Sequence, residues 1–469
     1  MTLIKSISGI RGTIGGKSGD ALTPLDIVKF AAAYGAWLKK KNQNAEHKVV
    51  LGRDARLSGK MVSDLVCSTL VGMGFHVIDL GLSTTPTVEI AVPLEKAIGG
   101  IILTASHNPI QWNALKLLNE KGEFISASDG AELLEIAENE SFEFCDVKHL
   151  GKVTYDDSYL KKHIDLILDL PLVDKKAIEK ANFKVAVDAV NSSGGIAVPM
   201  LLEALGVKQI KQINCEPTGI FAHNPEPLPE NLREISSETR KGNYDLGIVV
   251  DPDVDRLAFI CEDGEPFGEE YTLVAVADYI LANTKKKKGL KTVSNLSSTL
   301  ALKDVTVKAG GEHASAAVGE VNVVVKMKEI GAIIGGEGNG GIIYPELHYG
   351  RDALVGIALF LTQLAKFGKP VGFLRKTYPN YHIAKKKIEL TPEINVDEVL
   401  EDIKSKYERY PINTEDGVKI NFEKEWVHLR KSNTEPIIRI YAESEFETTA
   451  SNLADKIIRD IKELISQRV

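Results

Sequence analysis

The twelve residues DLGIVVDPDVDR, 245–256, contain the pattern from which the fold class follows. Their apolar first half predicts a buried strand, Asp245 to Val250, and their second half predicts an acidic loop at the carboxyl end of that strand. A second apolar run, Ile98 to Leu103, leads in the same way into the polar loop TASHNP, residues 104–109. Because such runs alternate with helical patterns through most of the chain, the sequence predicts an α/β fold.

Two early helices carry clear start and stop signals. Thr23 is placed as an N-cap before Pro24, and the basic run Lys39 to Lys41 marks the end of this helix. A second helix is predicted to start at Ser58 and to stop at Gly74, before the strand Phe75 to Leu80. Helix followed by strand is the order expected in an α/β protein.

Length and charge limit the classes of protein to which the chain can belong. Its 469 residues predict about three domains at roughly 150 residues each. The net charge of −8 disfavours a general nucleic-acid coat, which needs a basic face. We find no signal-peptide pattern and no apolar run of membrane-spanning length, so we expect a soluble cytoplasmic protein with no membrane partner. No CxxC spacing occurs among the cysteines, which are interpreted as buried thiols: Cys67, Cys145, Cys215 and Cys261.

The loop TASHNP places a serine directly after a strand. Ser106 in a loop closed by Asn108-Pro109 is held rigid and exposed, which suits a nucleophile. The hydrolase pattern GxSxG is absent. Taken alone, an ordinary turn with a serine and a histidine is the competing interpretation.

The acidic loop predicts a metal site. Carboxylates at Asp251, Asp253 and Asp255 can converge on one point, and they repel one another unless a cation joins them. Oxygen ligands predict a hard divalent ion, Mg²⁺ above all. An EF-hand is excluded because Arg256 stands where the calcium loop needs glycine. A surface acidic loop without metal is the alternative.

Two further loops carry polar side chains. The glycine-rich run 335–341 presents Glu337 and Asn339, which suit sugar hydroxyls, although a purely structural glycine loop fits equally well. No helix follows this run to hold a pyrophosphate, which argues against a dinucleotide site. The fourth loop, 430–436, offers charged, hydroxyl and amide donors that suit a phosphate monoester: Arg430, Lys431, Ser432, Asn433 and Thr434. A solvated hairpin turn is the alternative interpretation of this loop.

Together, in this order and over nearly the whole chain, the four loops resemble those of the α-D-phosphohexomutase superfamily. The resemblance implies four domains around a central cleft, three similar α/β domains with mixed sheets and a C-terminal α+β domain. The expected bounds are 1–152 for the phosphoserine loop, 153–256 for the Mg²⁺ loop, 257–368 for the sugar loop and 369–469 for the phosphate loop. It also implies a hinge between about residues 366 and 380.

The resemblance assigns a role to each residue that matches a family motif. Ser106 is implied as the phosphorylated serine, which holds Mg²⁺ through its phosphate together with Asp251, Asp253 and Asp255. Glu337 and Asn339 are implied to bind sugar hydroxyls. The phosphate that does not react is implied to bind Arg430, Ser432, Asn433 and Thr434. Arg11 in SGIRG matches the family's early arginine-glycine loop, Lys116 matches the lysine at the reacting centre, and Arg256 matches the arginine that closes the metal loop. Either His107 or Lys116 is predicted as the general base, and the sequence does not choose between them.

The reaction implied is transfer of a phosphoryl group between O6 and O1 of a hexose phosphate through a hexose 1,6-bisphosphate, which also serves as activator. The whole-chain resemblance, including the opening ISGIRGT at residues 7–13, looks closest to phosphoglucosamine mutase-like members of the family. It therefore implies glucosamine phosphate as substrate, with glucose or mannose phosphate as runner-up. We expect a monomer or a homodimer. A Mg²⁺-dependent phosphatase and a catalytically silent sugar-phosphate sensor are the alternatives from other classes.

Overall fold

The computed structural model describes residues 2–6, 9–285, 288–391, 394–431 and 437–466. The chain divides into two compact units. Unit 1 consists of residues 1–279 and 339–375, and unit 2 consists of residues 280–338 and 376–469. The chain thus leaves unit 1 for the last time at Arg375, inside the segment 366–380 in which the sequence predicts a hinge.

Unit 1 begins with a seven-stranded mixed sheet in the order β1-β2-β6-β5-β3-β4-β7. Parallel pairing joins β5, β3, β4 and β7, whereas β1, β2 and β6 run antiparallel to their neighbours. The elements of this part are β1 (Leu3–Ser6), β2 (Gly9–Thr13), α1 (Pro24–Lys41), β3 (Lys48–Arg53), α2 (Gly59–Gly72), β4 (His76–Leu82), α3 (Thr85–Leu94), β5 (Gly99–Leu103), β6 (Trp112–Leu118), α4 (Ala127–Glu138) and β7 (Lys152–Tyr155), with a 3₁₀ turn at Val147–His149.

A second sheet of unit 1 has the order β11-β10-β8-β9, in which only β11 runs antiparallel. The elements here are α5 (Tyr159–Leu168), α6 (Lys175–Ala181), β8 (Lys184–Asp188), α7 (Gly194–Ala204), β9 (Gln209–Ile213), a 3₁₀ turn (Pro229–Asn231), α8 (Arg233–Lys241), β10 (Leu246–Val250), β11 (Leu257–Ile260) and the larger part of α9 (Glu269–Asn283), whose last four residues belong to unit 2. Every residue of β10 and β11 is buried. This burial explains why both strands are continuous apolar runs rather than alternating ones.

The next elements along the chain are β12 (Lys291–Asn295), α10 (Leu300–Lys308), β13 (Glu312–Ala316), α11 (Glu320–Ile330) and β14 (Ile334–Glu337) in unit 2, followed by β15 (Gly341–Ile343), α12 (Ala353–Phe367) and α13 (Val371–Arg375) in unit 1. In unit 2, β12 pairs in parallel with β13 and with β14. In unit 1, α12 is the most deeply buried helix of this group, and its Phe360 ring stacks on Phe259 of β11 with centroids 3.8 Å apart.

The rest of unit 2 is an antiparallel sheet in the order β16-β20-β19-β18-β17. Its elements are β16 (His382–Glu389), α14 (Val396–Lys406), β17 (Ile412–Asn413), β18 (Val418–Asn421), β19 (Trp426–Lys431), β20 (Ile437–Ser444) and α15 (Glu447–Ser466). The apolar sides of α14 and α15 pack on this sheet in one hydrophobic cluster. The predicted fold class is confirmed, with parallel and mixed sheets before residue 376 and an α+β arrangement after it.

The helix signals are confirmed in detail. Helix α1 starts at Pro24, and the N–H of Thr23 donates to the Asp26 carboxylate at 3.1 Å. Helix α2 has Ser58 as its N-cap and ends before Gly74. These ends were predictable because capping depends on residues that are close together in the chain.

Two predicted loops are wrong at their edges, since each begins in a strand. The glycine run 335–341 starts inside β14. Glycine at 335 lets β14 pack closely against α11 and β12, because a Cβ at this position would lie 2.4 Å from Met327 Sδ and 2.9 Å from the Val293 carbonyl oxygen. Arg430 and Lys431 belong to β19, because the ladder to β20 continues to both residues.

The cysteines are all free thiols, as predicted, but only Cys67 and Cys261 are buried. Cys145 and Cys215 are half-buried because they lie in segments outside the strands and helices of the core.

Within the described residues, no helix has both the length and the apolar character that a membrane span requires.

Candidate active site

The structure places Ser106 three residues beyond the carboxyl end of β5, in a strained backbone conformation. Its φ of 49° lies in the left-handed region, which costs a residue with a side chain about 1–3 kcal/mol. The Ser106 N–H donates to Thr104 Oγ1 at 2.9 Å, and the Ser106 hydroxyl donates to Asp251 Oδ2 at 2.8 Å. The predicted nucleophile and the predicted metal loop therefore meet.

The three aspartates follow β10 and converge as the sequence predicts. Each is fully buried, and one ligand atom from each lies within 4.8 Å of the others. Asp251 Oδ1 accepts the backbone N–H groups of Asp255 and Arg256 at 3.2 and 3.1 Å, which closes the loop on itself. Val254 at the tip has a φ of 63°, so this loop also holds a residue in the left-handed region.

These residues fit a hard divalent cation. Asp253 Oδ1 and Asp255 Oδ1 are buried without a hydrogen-bond partner, although a buried carboxylate oxygen normally has one. An all-carboxylate donor set with open oxygens is the chemistry that Mg²⁺ prefers. In the described part of the chain, no other group of three such side chains meets the same criterion.

The second oxygens of the carboxylates bind protein donors. Lys116 Nζ donates to Asp253 Oδ2 at 2.7 Å and lies 3.4 Å from Asp255 Oδ2. Although burial disfavours the charged form of Lys116, the charges of Asp253 and Asp255 raise its pKa, so this side chain is a protonated ammonium group. Burial and the neighbouring charges of Asp253 and Asp255 raise the pKa of Asp251 well above its usual value.

Arg351 is a contributor that the sequence interpretation missed. Its Nη2 donates to Asp255 Oδ2 at 2.7 Å, and the side chain is about nine-tenths buried. Arg351 precedes Asp352, the N-cap of α12, whose side chain accepts the N–H groups of the first turn. The cap was readable from the sequence, but nothing in it pointed to a contact with the metal loop.

Thr85 is a second missed residue. Its hydroxyl donates to Asp253 Oδ2 at 2.6 Å, and its backbone N–H donates to the Asp253 carbonyl oxygen at 2.9 Å. Both side chains are fully buried. The sequence TTP at 84–86 indicates a helix start, and Thr84 is indeed the N-cap of α3, but that signal does not predict the contact of Thr85.

The remaining predicted groups of the reacting centre lie around Ser106. Arg11 Nη1 donates to Asn108 Oδ1 at 3.3 Å, and His107 Nδ1 lies 3.4 Å from Ser106 Oγ. Burial together with Arg256 and Arg11 keeps the pKa of His107 well below its usual value. Arg256 is bound by Glu226, a residue missed from the sequence, whose carboxylate is 3.3 Å from Arg256 Nη1 and 4.0 Å from His107 Nε2.

The predicted sugar residues fall in different units. Asn339 is in unit 1, where its Oδ1 accepts the N–H of Gly341 at 3.2 Å. The carbonyl oxygen of the next residue, Gly340, accepts the N–H of Leu257, which follows the acidic loop 251–256. Glu337 is in unit 2 and buried, and its Oε1 accepts from Asn295 Nδ2 at 2.8 Å and from the Gly319 N–H at 3.0 Å.

Unit 2 also brings Arg430 close to the Glu337 environment. Arg430 Nε donates to Asp416 Oδ2 at 2.8 Å, and the same carboxylate oxygen accepts the N–H of Val318, the neighbour of Gly319. Two adjacent peptide groups therefore connect the predicted phosphate arginine to the predicted sugar carboxylate. The other predicted phosphate residues, Ser432, Asn433 and Thr434, lie outside the described residues, as does Ser8 in the early arginine loop.

Four family models match the chain in order. They are phosphoglucomutase/phosphomannomutase alpha/beta/alpha domain I over residues 3–144, domain II over 159–264, domain III over 268–381, and the C-terminal domain over 385–460.

Curated relatives match over almost the whole length. A protein of Thermococcus kodakarensis named phosphoglucomutase/phosphomannomutase is 34% identical over 97% of this chain and 98% of its own. A probable phosphoglucosamine mutase of Methanopyrus kandleri is 31% identical over 98% of both chains. Among solved structures, a phosphoglucomutase/phosphomannomutase family protein of Burkholderia thailandensis superposes with a TM-score of 0.84 over 98% of this chain and 97% of its own, at 24% identity.

Proposed function

Because the chain belongs to the phosphoglucomutase/phosphomannomutase family, a family of phosphohexomutases, we propose that it moves a phosphoryl group between O6 and O1 of a hexose phosphate, with Ser106 as the residue that carries the group. An enzyme of this kind is an isomerase that works as an intramolecular phosphotransferase. We also propose that the four functional regions have the bounds 1–152, 153–256, 257–368 and 369–469.

One contact carries the proposal: the Ser106 hydroxyl donates to Asp251 Oδ2 at 2.8 Å. A serine in a strained loop, directed into a buried acidic metal loop, is the arrangement that a phosphorylated nucleophile needs, since its phosphate then has a cation beside it. The hydroxyl of a serine in an ordinary surface turn is expected to point to solvent rather than into a cluster of three buried carboxylates.

The proposed reaction has two transfers. A hydroxyl oxygen of the hexose monophosphate forms a bond to the phosphorus on Ser106, the bond from Ser106 Oγ to phosphorus breaks, and the hydroxyl proton passes to a base. The serine oxygen takes up a proton, and the product is a hexose 1,6-bisphosphate and a free serine. In the second transfer Ser106 Oγ loses its proton and forms a bond to the other phosphorus, the bond from that phosphorus to its sugar oxygen breaks, and this oxygen takes up a proton. Atoms and charges then balance over the cycle and the phosphoserine is restored.

The residues of the site have complementary electrostatic roles. Lys116 holds its proton between Asp253 and Asp255 and directs a positive charge toward the transfer site. Arg11 and Arg256 supply further positive charge for oxygens that become more negative in the transition state. Mg²⁺ held by Asp251, Asp253 and Asp255 would supply Lewis-acid stabilisation of the transferring group.

Geometry favours His107 over Lys116 as the general base. His107 Nδ1 lies 3.4 Å from Ser106 Oγ, where it can take the serine proton in the second transfer, in which Ser106 Oγ is the nucleophile. The Lys116 ammonium is already bound by two carboxylates. We therefore expect His107→Asn to lower kcat, with a flatter acidic limb of the pH profile, and a variant with unchanged kcat would return the role to Lys116.

We propose glucosamine phosphate as the preferred substrate, with glucose or mannose phosphate as the runner-up. Several relatives that match nearly the whole chain carry the name probable phosphoglucosamine mutase. Glu337 and Asn339 are proposed to bind sugar hydroxyls. The distal phosphate is proposed to bind four residues of the C-terminal region: Arg430, Ser432, Asn433 and Thr434.

Intact mass spectrometry together with turnover tests the reaction. The isolated enzyme should carry up to one phosphate per chain, which is absent from Ser106→Ala, and dephosphorylated enzyme should regain activity with a hexose 1,6-bisphosphate. Release of inorganic phosphate in proportion to turnover would identify a phosphatase instead. Chelation with EDTA should abolish activity, Mg²⁺ should restore it, and Asp253→Asn should not respond to Mg²⁺.

A direct comparison of glucosamine 6-phosphate, glucose 1-phosphate and mannose 1-phosphate tests the substrate. The highest kcat/KM for glucosamine 6-phosphate is expected. A higher kcat/KM for either of the others would reject the assignment but leave the mutase chemistry intact.

A further inference from the structure

We propose that Asp54 and Arg56 form a positioning pair that holds Ser106 in the geometry required for phosphoryl transfer. This inference rests on the proposed function, since it concerns the same serine. Both residues lie in the short segment DAR at 54–56, directly after β3.

Arg56 is fully engaged with the loop that carries Ser106. Its guanidinium has five N–H groups, and all five have acceptors. One, on Nε, binds Asp54 Oδ2 at 3.1 Å. The other four bind carbonyl oxygens at 2.6–2.9 Å: those of Ser106, Asn108 and Pro109 in the loop and that of Trp112, the first residue of β6. Arg56 is 1% exposed, so its charge acts through the loop rather than by contact with a substrate.

Both peptide groups that flank the Ser106 Cα are tied to one carboxylate oxygen. On one side, the Ser106 N–H donates to Thr104 Oγ1, and this hydroxyl donates to Asp54 Oδ2 at 2.7 Å. On the other side, the Ser106 carbonyl accepts from Arg56 at 2.6 Å, and Arg56 Nε donates to the same Oδ2. These two peptides define φ and ψ of Ser106, so the pair fixes its left-handed conformation.

Sheet topology explains why this pair can reach the loop. Strands β3 and β5 are parallel neighbours with Arg53 opposite Leu103, and the Asp54 N–H donates to the Leu103 carbonyl at 3.2 Å. The segments that follow the two strands therefore leave the same edge of the sheet side by side. The Phe221 ring lies against the guanidinium, with the ring centroid 5.0 Å from Arg56 Cζ.

A residue in a strained backbone conformation keeps that conformation only where several contacts of the surrounding structure hold it in place. Removing one tie should allow Ser106 to relax and its Oγ to move away from Asp251. Misplacement of a reacting atom by about 1 Å costs on the order of 100-fold in rate. The effect should fall on kcat and on phosphorylation of Ser106 rather than on substrate KM.

Arg56→Lys and a matched pair at Thr104 test the proposal. Arg56→Lys keeps the charge but has only three N–H donors, and we expect kcat to fall about 100-fold with KM within about twofold. Thr104→Val removes the hydroxyl relay and should lower kcat about tenfold or more, whereas Thr104→Ser keeps the hydroxyl and should restore most of it. Lys60→Gln, at an exposed position of α2, is the surface control.

Two readouts separate positioning from general damage. Amide hydrogen exchange of residues 106–112 should accelerate in Arg56→Lys and in Thr104→Val while the rest of β5 stays protected. Binding of Mn²⁺ to the aspartate triad, measured by titration calorimetry, should stay within about threefold of wild type.

Wild-type kcat in Arg56→Lys would overturn the proposal. If Arg56→Lys loses its fold, the Thr104 pair decides, and equal kcat in the Val and Ser variants would overturn the proposal as well. If wild-type protein neither carries phosphate nor turns over a hexose phosphate, the proposed function fails. In that event, unchanged amide exchange in Thr104→Val would reject the positioning pair too, while accelerated exchange would support only the part of the inference that concerns the Ser106 conformation.

Discussion

Replacing Thr85 by valine should weaken metal binding at the aspartate triad. Valine has nearly the shape of threonine but lacks the hydroxyl that donates to Asp253 Oδ2 at 2.6 Å. The backbone bond from residue 85 to the Asp253 carbonyl is unaffected by the substitution. The change therefore removes a single buried hydrogen bond to a carboxylate.

The structure gives the size of the effect. A hydrogen bond to a charged group contributes about 1.5–3 kcal/mol, and the distance of 2.6 Å is typical of a hydroxyl that donates to a carboxylate. Lys116 remains at 2.7 Å from the same oxygen, so this oxygen keeps one partner and the lower part of the range applies, about 1.5–2 kcal/mol. Loss of a residue that orients a metal ligand typically costs about 10–100-fold in metal affinity, and 1.5–2 kcal/mol corresponds to about 10–30-fold, which is the loss we expect.

Titration calorimetry with Mn²⁺ on purified protein measures this affinity directly, and Mg²⁺ serves in a parallel series. Thr85→Ser keeps the hydroxyl and should bind metal like wild type. Thr87→Val is the matched control, because the Thr87 hydroxyl lies in the same helix but contacts Thr84 and His163 instead. Equal affinity in Thr85→Val and wild type would refute the argument that this hydroxyl orients Asp253.

Two further predictions concern stability. Although burial opposes the charge, Asp352 and Glu89 raise the pKa of His348 to about 10 in the folded protein. The protonated His348 therefore stabilises the folded state fully below the unfolded pKa of about 6.5, and this contribution is lost as the pH rises through 10. The melting temperature of wild type should therefore fall more steeply than that of His348→Gln between pH 7 and 10, and parallel curves would contradict this. Gly219→Ala should lower the melting temperature and kcat, because a Cβ at a φ of 72° would meet the Ala55 carbonyl oxygen at 1.9 Å; a variant that melts like wild type would show that the backbone adapts.

Local features of the fold were predictable from the sequence. The Thr23-Pro24 cap defined the start of α1, and the apolar run at 246–250 defined β10, because capping and strand burial depend on residues within a few positions. The predicted end of β19 was wrong because pairing with a neighbouring strand sets it. Strand β19 continues through Arg430 because β20 pairs with it there, and the residues of β19 alone do not indicate this pairing.

The sequence by itself indicated which loops hold the candidate functional residues. Spacing placed three carboxylates at alternate positions after a strand, and their convergence was predictable because alternate residues of one short loop can turn toward a single point. The serine after β5 and the family pattern of the four loops were also readable from the chain alone.

Only the tertiary structure decided what surrounds those groups. Thr85 binds Asp253 across 168 residues of sequence, Lys116 binds the same carboxylate across 137, and Arg351 binds Asp255 across 96. Arg56 reaches the Ser106 carbonyl across 50. No local pattern encodes such contacts, because a buried charge takes whichever partner the packing of separate elements brings within hydrogen-bond distance.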